Sequence, residues 1–374
     1  MRIMTVNHHP TYLHLLAALP HDIWNLAPLA GRAGEHRLQP VAGQPTRQPP
    51  ATRTGMADVG PDFFDVALVH RVTDLGTLGD FANRRLMLLL HPPSRQQQLE
   101  STCRDRTGFL AHFIECLEMA EAEVVFSSQG VADSWPGLAG TVIVPGIPLA
   151  GYGGYHGRQP AVLWVTDQVP GMAARPGPRH SEVLHGIPKQ VVHRHLTAAG
   201  AWVLAGREAA DRRALLNAYR AHRCLCVMRQ PGVAEDHEPE LLAAMATGMP
   251  VVTTPDITSF VIHGSNGLVG HSASELRRHL VRLLHQPELA RQLGCQARRT
   301  VARLFPHDRF VSAWEELLAV RPGPGSLYPP RTGQPGIRVP ARLNLIRGEG
   351  TGVKTTTTAG VPPQLTVIEG GLPA

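Results

Sequence analysis

At 374 residues the chain is longer than one compact core usually serves, so two domains of about 150 residues each and an appendage are expected. Apolar residues at 43% and charged residues at 18% describe an ordinary globular protein, and no apolar run approaches the roughly 20 residues that span a bilayer. A formal net charge of +6 favours anionic ligands without choosing among phosphates, nucleic acid and lipid surfaces.

In chain order, residues 1–7 (MRIMTVN) read as a strand, 9–19 as a helix with Tyr12, Leu15, Leu16 and Leu19 at helical spacing, and 21–29 as a second strand. Strand, helix, strand opens a βαβ unit and implies a parallel sheet. Residues 31–61, rich in Gly, Pro, Gln and Arg, are expected to form a loop or mobile excursion. Strands follow at 63–70 (FFDVALVH) and 84–91 (RRLMLLLH), the latter stopped by Pro92 and Pro93. An amphipathic helix over 107–121 carries Phe109, Leu110, Phe113, Ile114 and Leu117, and strands at 122–128 and 141–147 flank a short helix. Four glycines and a proline within 151–160 mark a linker or hinge.

The alternation then restarts. Strands are predicted at 161–167, 201–206, 224–228 and 250–254, with helices at 208–222 and over ELLAAMATG, the latter closed by Gly248. Ser272 and Glu275 form a capping box for a helix at 272–286, and further helices run to about Val320. The Pro-, Gly- and Thr-rich remainder cannot bury enough surface to offset its ordering entropy. The reading is therefore α/β: two doubly wound parallel-sheet (Rossmann-like) domains at 1–150 and 151–320, and a tail at 321–374. The five cysteines (Cys103, Cys116, Cys224, Cys226, Cys295) match no zinc pattern; Cys224 and Cys226 share a strand face and read as buried free thiols, which fits a reducing compartment. Asn7, His8, His9 and Pro10 break the N-terminal apolar run, so no signal peptide is read there and a cytoplasmic location is expected.

Several stretches resemble one family. ELLAAMATGMPVVTTP (240–255), HGSNGLVG (263–270), the closing helices at 285–318, and AEVVFSSQGVADSW (122–135) followed by TVIVPGIPLAGY (141–152) are similar, in order, to the GT-B glycosyltransferases of the group 1, or family 4, type. The N-terminal third resembles that family only in layout, with His70 and His91 at strand ends. The resemblance implies two domains facing a cleft, with a nucleotide-sugar donor on the second and an acceptor on the first. That acceptor is an unknown sugar, lipid-linked or small molecule. Transfer is expected to be retaining, without metal or cofactor, since the nucleotide sugar is itself a substrate. Lipid-linked members use basic surfaces at membranes, so peripheral membrane contact is carried along. No strand is followed by G-x-G-x-x-G, which argues against a dehydrogenase, and no aromatic interleaving or known module supports a nucleic-acid partner.

Site residues follow from the same stretch. The family's donor motif has two glutamates eight residues apart, the second directly before Ala-Met-Ala. Here Glu235 holds the first position and Ala243 the second, so the ribose-gripping acid is missing. Glu235 is the candidate catalytic contact to the donor sugar. The backbone N–H groups around Glu240, Leu241 and Leu242, at a helix N-terminus, are candidates for the diphosphate. A carboxylate about 4 Å from a phosphate costs about 4 kcal/mol at intermediate dielectric, so Asp236 and Glu238 must point away or be neutralised. Arg179, Lys189, Arg229 and His237 are the candidate counter-charges, the first two as diphosphate ligands. The alternative for the acids is a solvated loop complementing a helix end; a metal site is disfavoured. Thr254 and Asp256 lie at a strand end where ligands gather, and His70 is the acceptor-side catalytic candidate, with a capped or surface histidine as the competing reading. Asn266-Gly267 reads as a turn. The substitution at Ala243 also supports a second hypothesis, a GT-B-like protein that binds or assembles without catalysing transfer.

Overall fold

Apolar runs that are buried on both faces pair in parallel, and the first half of the chain does so around β1 (Arg2–Val6) and β4 (Phe64–Val69). In this computed structural model the described residues are 1–6, 10–28, 36–40, 63–78, 81–100, 106–166, 182–193, 202–204, 207–209, 212–228, 238–255, 257 and 260–320. All belong to one unit, Met1–Ile337; a second, Arg338–Ala374, lies outside them, as does the tail expectation.

The first sheet has seven strands in the order β3-β2-β1-β4-β5-β6-β7, with β2 (Asp22–Pro28), β3 (His36–Pro40), β5 (Ala82–Leu89), β6 (Glu123–Phe126) and β7 (Thr141–Val142). Only β3 runs antiparallel. It corrects the loop expected over 31–61: HRLQP is polar and ends in proline, a composition tolerated at a sheet edge, where the outer backbone groups need no partner. Helices α1 (Pro10–Leu16), α2 (Val72–Leu78), α3 (Pro93–Glu100), α4 (Arg106–Met119) and α5 (Gln129–Asp133) complete this lobe.

The second sheet also has seven strands, ordered β11-β10-β9-β8-β12-β13-β14. They are β8 (Gln159–Thr166), β9 (Lys189–His193), β10 (Trp202–Leu204), β11 (Arg207–Ala209), β12 (His222–Val227), β13 (Val251–Thr253) and β14 (Leu268–Val269). The segment expected to be helical from residue 208 first contributes β11 and then becomes α6 (Arg212–Ala221). Helices α7 (Glu238–Thr247), α8 (Ala273–His285), α9 (Pro287–Leu304) and α10 (His307–Ala319) follow. Ser272 caps α8 as its sequence predicts, its hydroxyl accepting from the Glu275 N–H at 3.2 Å while the Glu275 carboxylate accepts from His271 N–H at 2.8 Å. Cys224 and Cys226 are free and buried; burial pushes the Cys224 thiol up to about 12 and raises Cys226 as well, so both stay protonated.

The last helix leaves the sheet it follows in sequence. Phe310, Trp314 and Leu318, four residues apart, form one apolar stripe that packs on the first lobe: Trp314 and Leu318 line a small apolar void with Ile3, Leu16, Ile23 and Val66. The Tyr12 and Phe310 rings meet edge to face at 6.0 Å. Arg84 fixes the helix end, donating to the carbonyls of Leu317 (2.9 Å) and Val320 (3.0 Å) while its other nitrogens grip Glu123 at 2.6 and 2.7 Å. The two crossings between lobes lie side by side, since the Ile147 N–H donates to Phe305 O at 3.0 Å.

The glycine-rich segment expected to be a hinge is bound to the second lobe. Arg220 donates to Gly153 O and Arg223 to Gly157 O, each at 2.8 Å, and Arg298 donates to Leu149 O at 3.1 Å and to Ala246 O. The N–H groups of His156 and Gly157 both donate to Arg220 O at 3.0 Å, and the Tyr155 hydroxyl donates to Arg223 O at 2.6 Å. Gly153, with φ of +103°, takes a backbone conformation that side chains rarely adopt, which lets the segment lie against Arg298.

Candidate functional site

Open parallel sheets bind ligands beyond the carboxyl ends of their strands, where strand order reverses. In the first sheet that point lies between β1 and β4, and in the second between β8 and β12.

His70 follows β4 directly, beside the first switch point, and is 6% exposed. Its backbone carbonyl accepts from Gln96 Nε2 at 2.7 Å. The same nitrogen donates to Glu100 Oε1 at 2.7 Å, and that oxygen also accepts the Val72 N–H, the first of α2, at 3.0 Å. Burial raises the Glu100 carboxyl above its usual range, opposed by these two bonds and by Arg71 and reinforced by Asp74. His91, beyond β5, is buried too, and its carbonyl accepts from Trp135 Nε1 at 2.9 Å. The strand-end positions of both histidines were legible in the sequence, whereas Gln96 and Glu100 were not singled out. The one available signal was their spacing of four on PSRQQQLE, which places them on one helix face.

On the second sheet, the chain leaves β12 at its carboxyl end and enters α7. Glu235 and Arg179 lie outside the described residues, as do Arg229, Asp236, His237 and Asp256. Glu240 sits buried in the first turn of α7, where a carboxylate complements the helix dipole. Leu241 and Leu242 are buried in the apolar core, so only their backbone can serve a ligand. Pro239 has no N–H, which leaves Glu240 as the first backbone donor after it. Ala243 is buried in the same core and offers a methyl where the family carries an acid.

Thr254 follows β13 and is 1% exposed, and its Oγ1 has no hydrogen-bond partner among the described residues. A buried hydroxyl without a partner is uncommon and calls for an explanation. Lys189 is placed elsewhere. It pairs with Val162, while the cleft end of this ladder is Thr166 opposite His193, four residues or roughly 13 Å further along. Its Nζ donates to Leu184 O at 3.1 Å, securing the turn before β9, so the structure removes Lys189 from the diphosphate set. Asn266 is a turn residue: its side chain accepts from Ile262 N–H at 2.6 Å and donates to Phe260 O and Thr300 Oγ1. Among the described residues no group of three or more His, Cys, Asp or Glu converges as a metal site would require.

These two lobes, with mainly parallel sheets facing a cleft, β3 and β10 alone running against the direction of their sheets among the described strands, and a last helix returning to the first lobe, define the GT-B fold. Solved structures agree: sucrose-phosphate synthase from Thermosynechococcus elongatus matches with a TM-score of 0.54 at 16% identity, over 85% of this chain and 98% of that one. HepE from Anabaena, in complex with UDP and glucose, matches with a TM-score of 0.56 at 12% identity, over 86% of this chain and all of that one (100%). HepE has also been solved with UDP-glucose. Residues 179–316 match a family model described as glycosyl transferase-like. The resemblance read from the donor stretch therefore agrees with the fold, and with a glycosyl transferase-like model over residues 179–316, at the low identity of a divergent chain. The search of curated proteins gives no match. No helix among the described residues is long and apolar enough to cross a membrane.

Proposed function

We propose that the protein transfers a sugar from a nucleotide-sugar donor to a hydroxyl-bearing acceptor, with retention and without a metal ion. One observation carries this reading: the buried, unpartnered Thr254 hydroxyl shares a sheet edge with the start of α7, inside the segment that matches the glycosyl transferase-like family. In this reading, residues 1–150 hold the acceptor and 151–320 the donor. First-turn N–H groups of α7 and the Thr254 hydroxyl donate to diphosphate oxygens, stabilising the charge that grows as the glycosidic bond breaks. Arg179 offsets the same charge, Glu235 contacts the donor sugar, and His70 acts on the acceptor hydroxyl from the opposite edge. The acceptor is a sugar, a lipid-linked carrier or a small molecule. With formal net charge +6, a cytoplasmic protein of this kind is suited to peripheral contact with an anionic membrane.

UDP-glucose is the first donor to try, because a structurally similar protein binds it. Calorimetric titration should give heat, and UDP release should follow on adding acceptor pools. Glu235→Gln should cut turnover by orders of magnitude while leaving Tm nearly unchanged; equal turnover removes Glu235 from the site. A second reading, a binding or assembly protein without transferase activity, is favoured by Ala243, whose buried methyl cannot grip a ribose. No heat and no product with any nucleotide sugar would select it.

A further inference from the structure

The buried residues of α3 are Gln96 and Glu100, and no apolar side chain of that helix is buried. Burying a carboxylate and an amide is costly, and an apolar pair would anchor an eight-residue helix more cheaply. The bonds these two side chains make account for their presence. Both hydrogens of Gln96 Nε2 are used, one on His70 O and one on Glu100 Oε1, each at 2.7 Å. Glu100 Oε1 also holds the Val72 N–H at 3.0 Å. The chain is thereby fixed by its carbonyl at His70 and by its N–H two residues later, with only Arg71 between.

We propose that Gln96 and Glu100 are positioning residues: together they set the backbone of the His70–Val72 turn, and through it the direction in which the His70 ring enters the cleft. The inference rests on His70 being the acceptor-side group. It assigns α3, a segment outside the donor motif, to the acceptor half of the reaction. His91 stands on the neighbouring strand end and is held by Trp135 instead, which makes it an internal control.

The test uses the full chain with 13C-labelled histidine, the His70 signal being assigned by its loss in His70→Gln. Gln96→Leu and Glu100→Leu should each displace the His70 ring resonance and leave that of His91 in place. Glu100→Gln, which keeps an acceptor oxygen for Val72, should restore the wild-type position. Gln96→Leu leaves the Val72–Glu100 bond standing and carries the test alone if Glu100→Leu does not fold. With UDP-glucose as donor probe, UDP release should fall about 10- to 100-fold in kcat in the leucine variants, with KM little changed. A His70 resonance that stays put in the leucine variants overturns the proposal. Displacement of that resonance in a protein that releases no nucleotide from any nucleotide sugar sustains the positioning role and defeats the transferase reading alone.

Discussion

Replacing Thr254 with Val deletes one oxygen while keeping a β-branched side chain of similar size, so strand propensity and packing at the end of β13 are preserved. In the ligand-free protein this hydroxyl is buried without a partner among the described residues. A buried polar group left unpaired costs about 1–3 kcal/mol. Thr254→Val should therefore stabilise the free protein by about 1–2 kcal/mol, raising Tm by about 1–3 °C for a chain of this size. Nucleotide binding should move the opposite way. A hydrogen bond to a charged phosphate oxygen contributes about 1.5–3 kcal/mol, so Kd for UDP should rise by about 10- to 100-fold. Differential scanning calorimetry with and without UDP, followed by isothermal titration, measures both effects. A lower Tm in the variant would show that the hydroxyl has a partner within the fold; an unchanged Kd would show that it does not face the ligand.

Trp314→Ala should cost about 3–5 kcal/mol, since the indole fills the seam between α10 and the first lobe and a void already lies beside it; a urea midpoint within error of wild type would refute that packing role. Gly146→Ala should destabilise by about 1–3 kcal/mol, because a Cβ there would stand 2.8 Å from Pro306 O and 2.9 Å from His307 Cα and closer still to Phe310; equilibrium unfolding checks it. Glu100 makes stability depend on pH. Its folded carboxyl is raised, so the native state holds more protons than the unfolded state just above the ordinary carboxylate range, and stability falls as pH rises through that window. The Tm gain of Glu100→Gln over wild type should accordingly be larger at pH 7 than at pH 4, and equal gains at both would refute the burial argument.

Most of the parallel strands were legible as short apolar runs set between helix-period segments, as in FFDVALVH and CLCVM, whereas β9 and the two-residue β14 were not. Helix α7 was legible from ELLAAMATG and its closing glycine, and the strand-end position of His70 from FFDVALVH. What escaped the sequence depended on partners far along the chain. HRLQP reads as loop and becomes β3 only by adding to an existing edge. PSRQQQLE carries no apolar stripe to mark an inward face, and its two buried positions are fixed by bonds to a turn more than twenty residues earlier. The stripe of Phe310, Trp314 and Leu318 announced a buried helix face without saying which sheet it would cover. Ala243 was visible as a departure from the motif, but its submersion in the core came only from the fold.

The arginines that hold residues 149–157 to the second lobe, and Arg84 at the end of α10, settle how the molecule can move. With both flanking segments clamped, the paired crossings at Ile147 and Phe305, which are tied to each other, are the natural place for any bending. Two adjacent pivots would act like a door on one pair of pins, letting the gap open and shut while resisting twist and slide. A cross-link between positions 147 and 305 would therefore only tie the pins together and leave the swing free, whereas a cross-link spanning the gap would stop it.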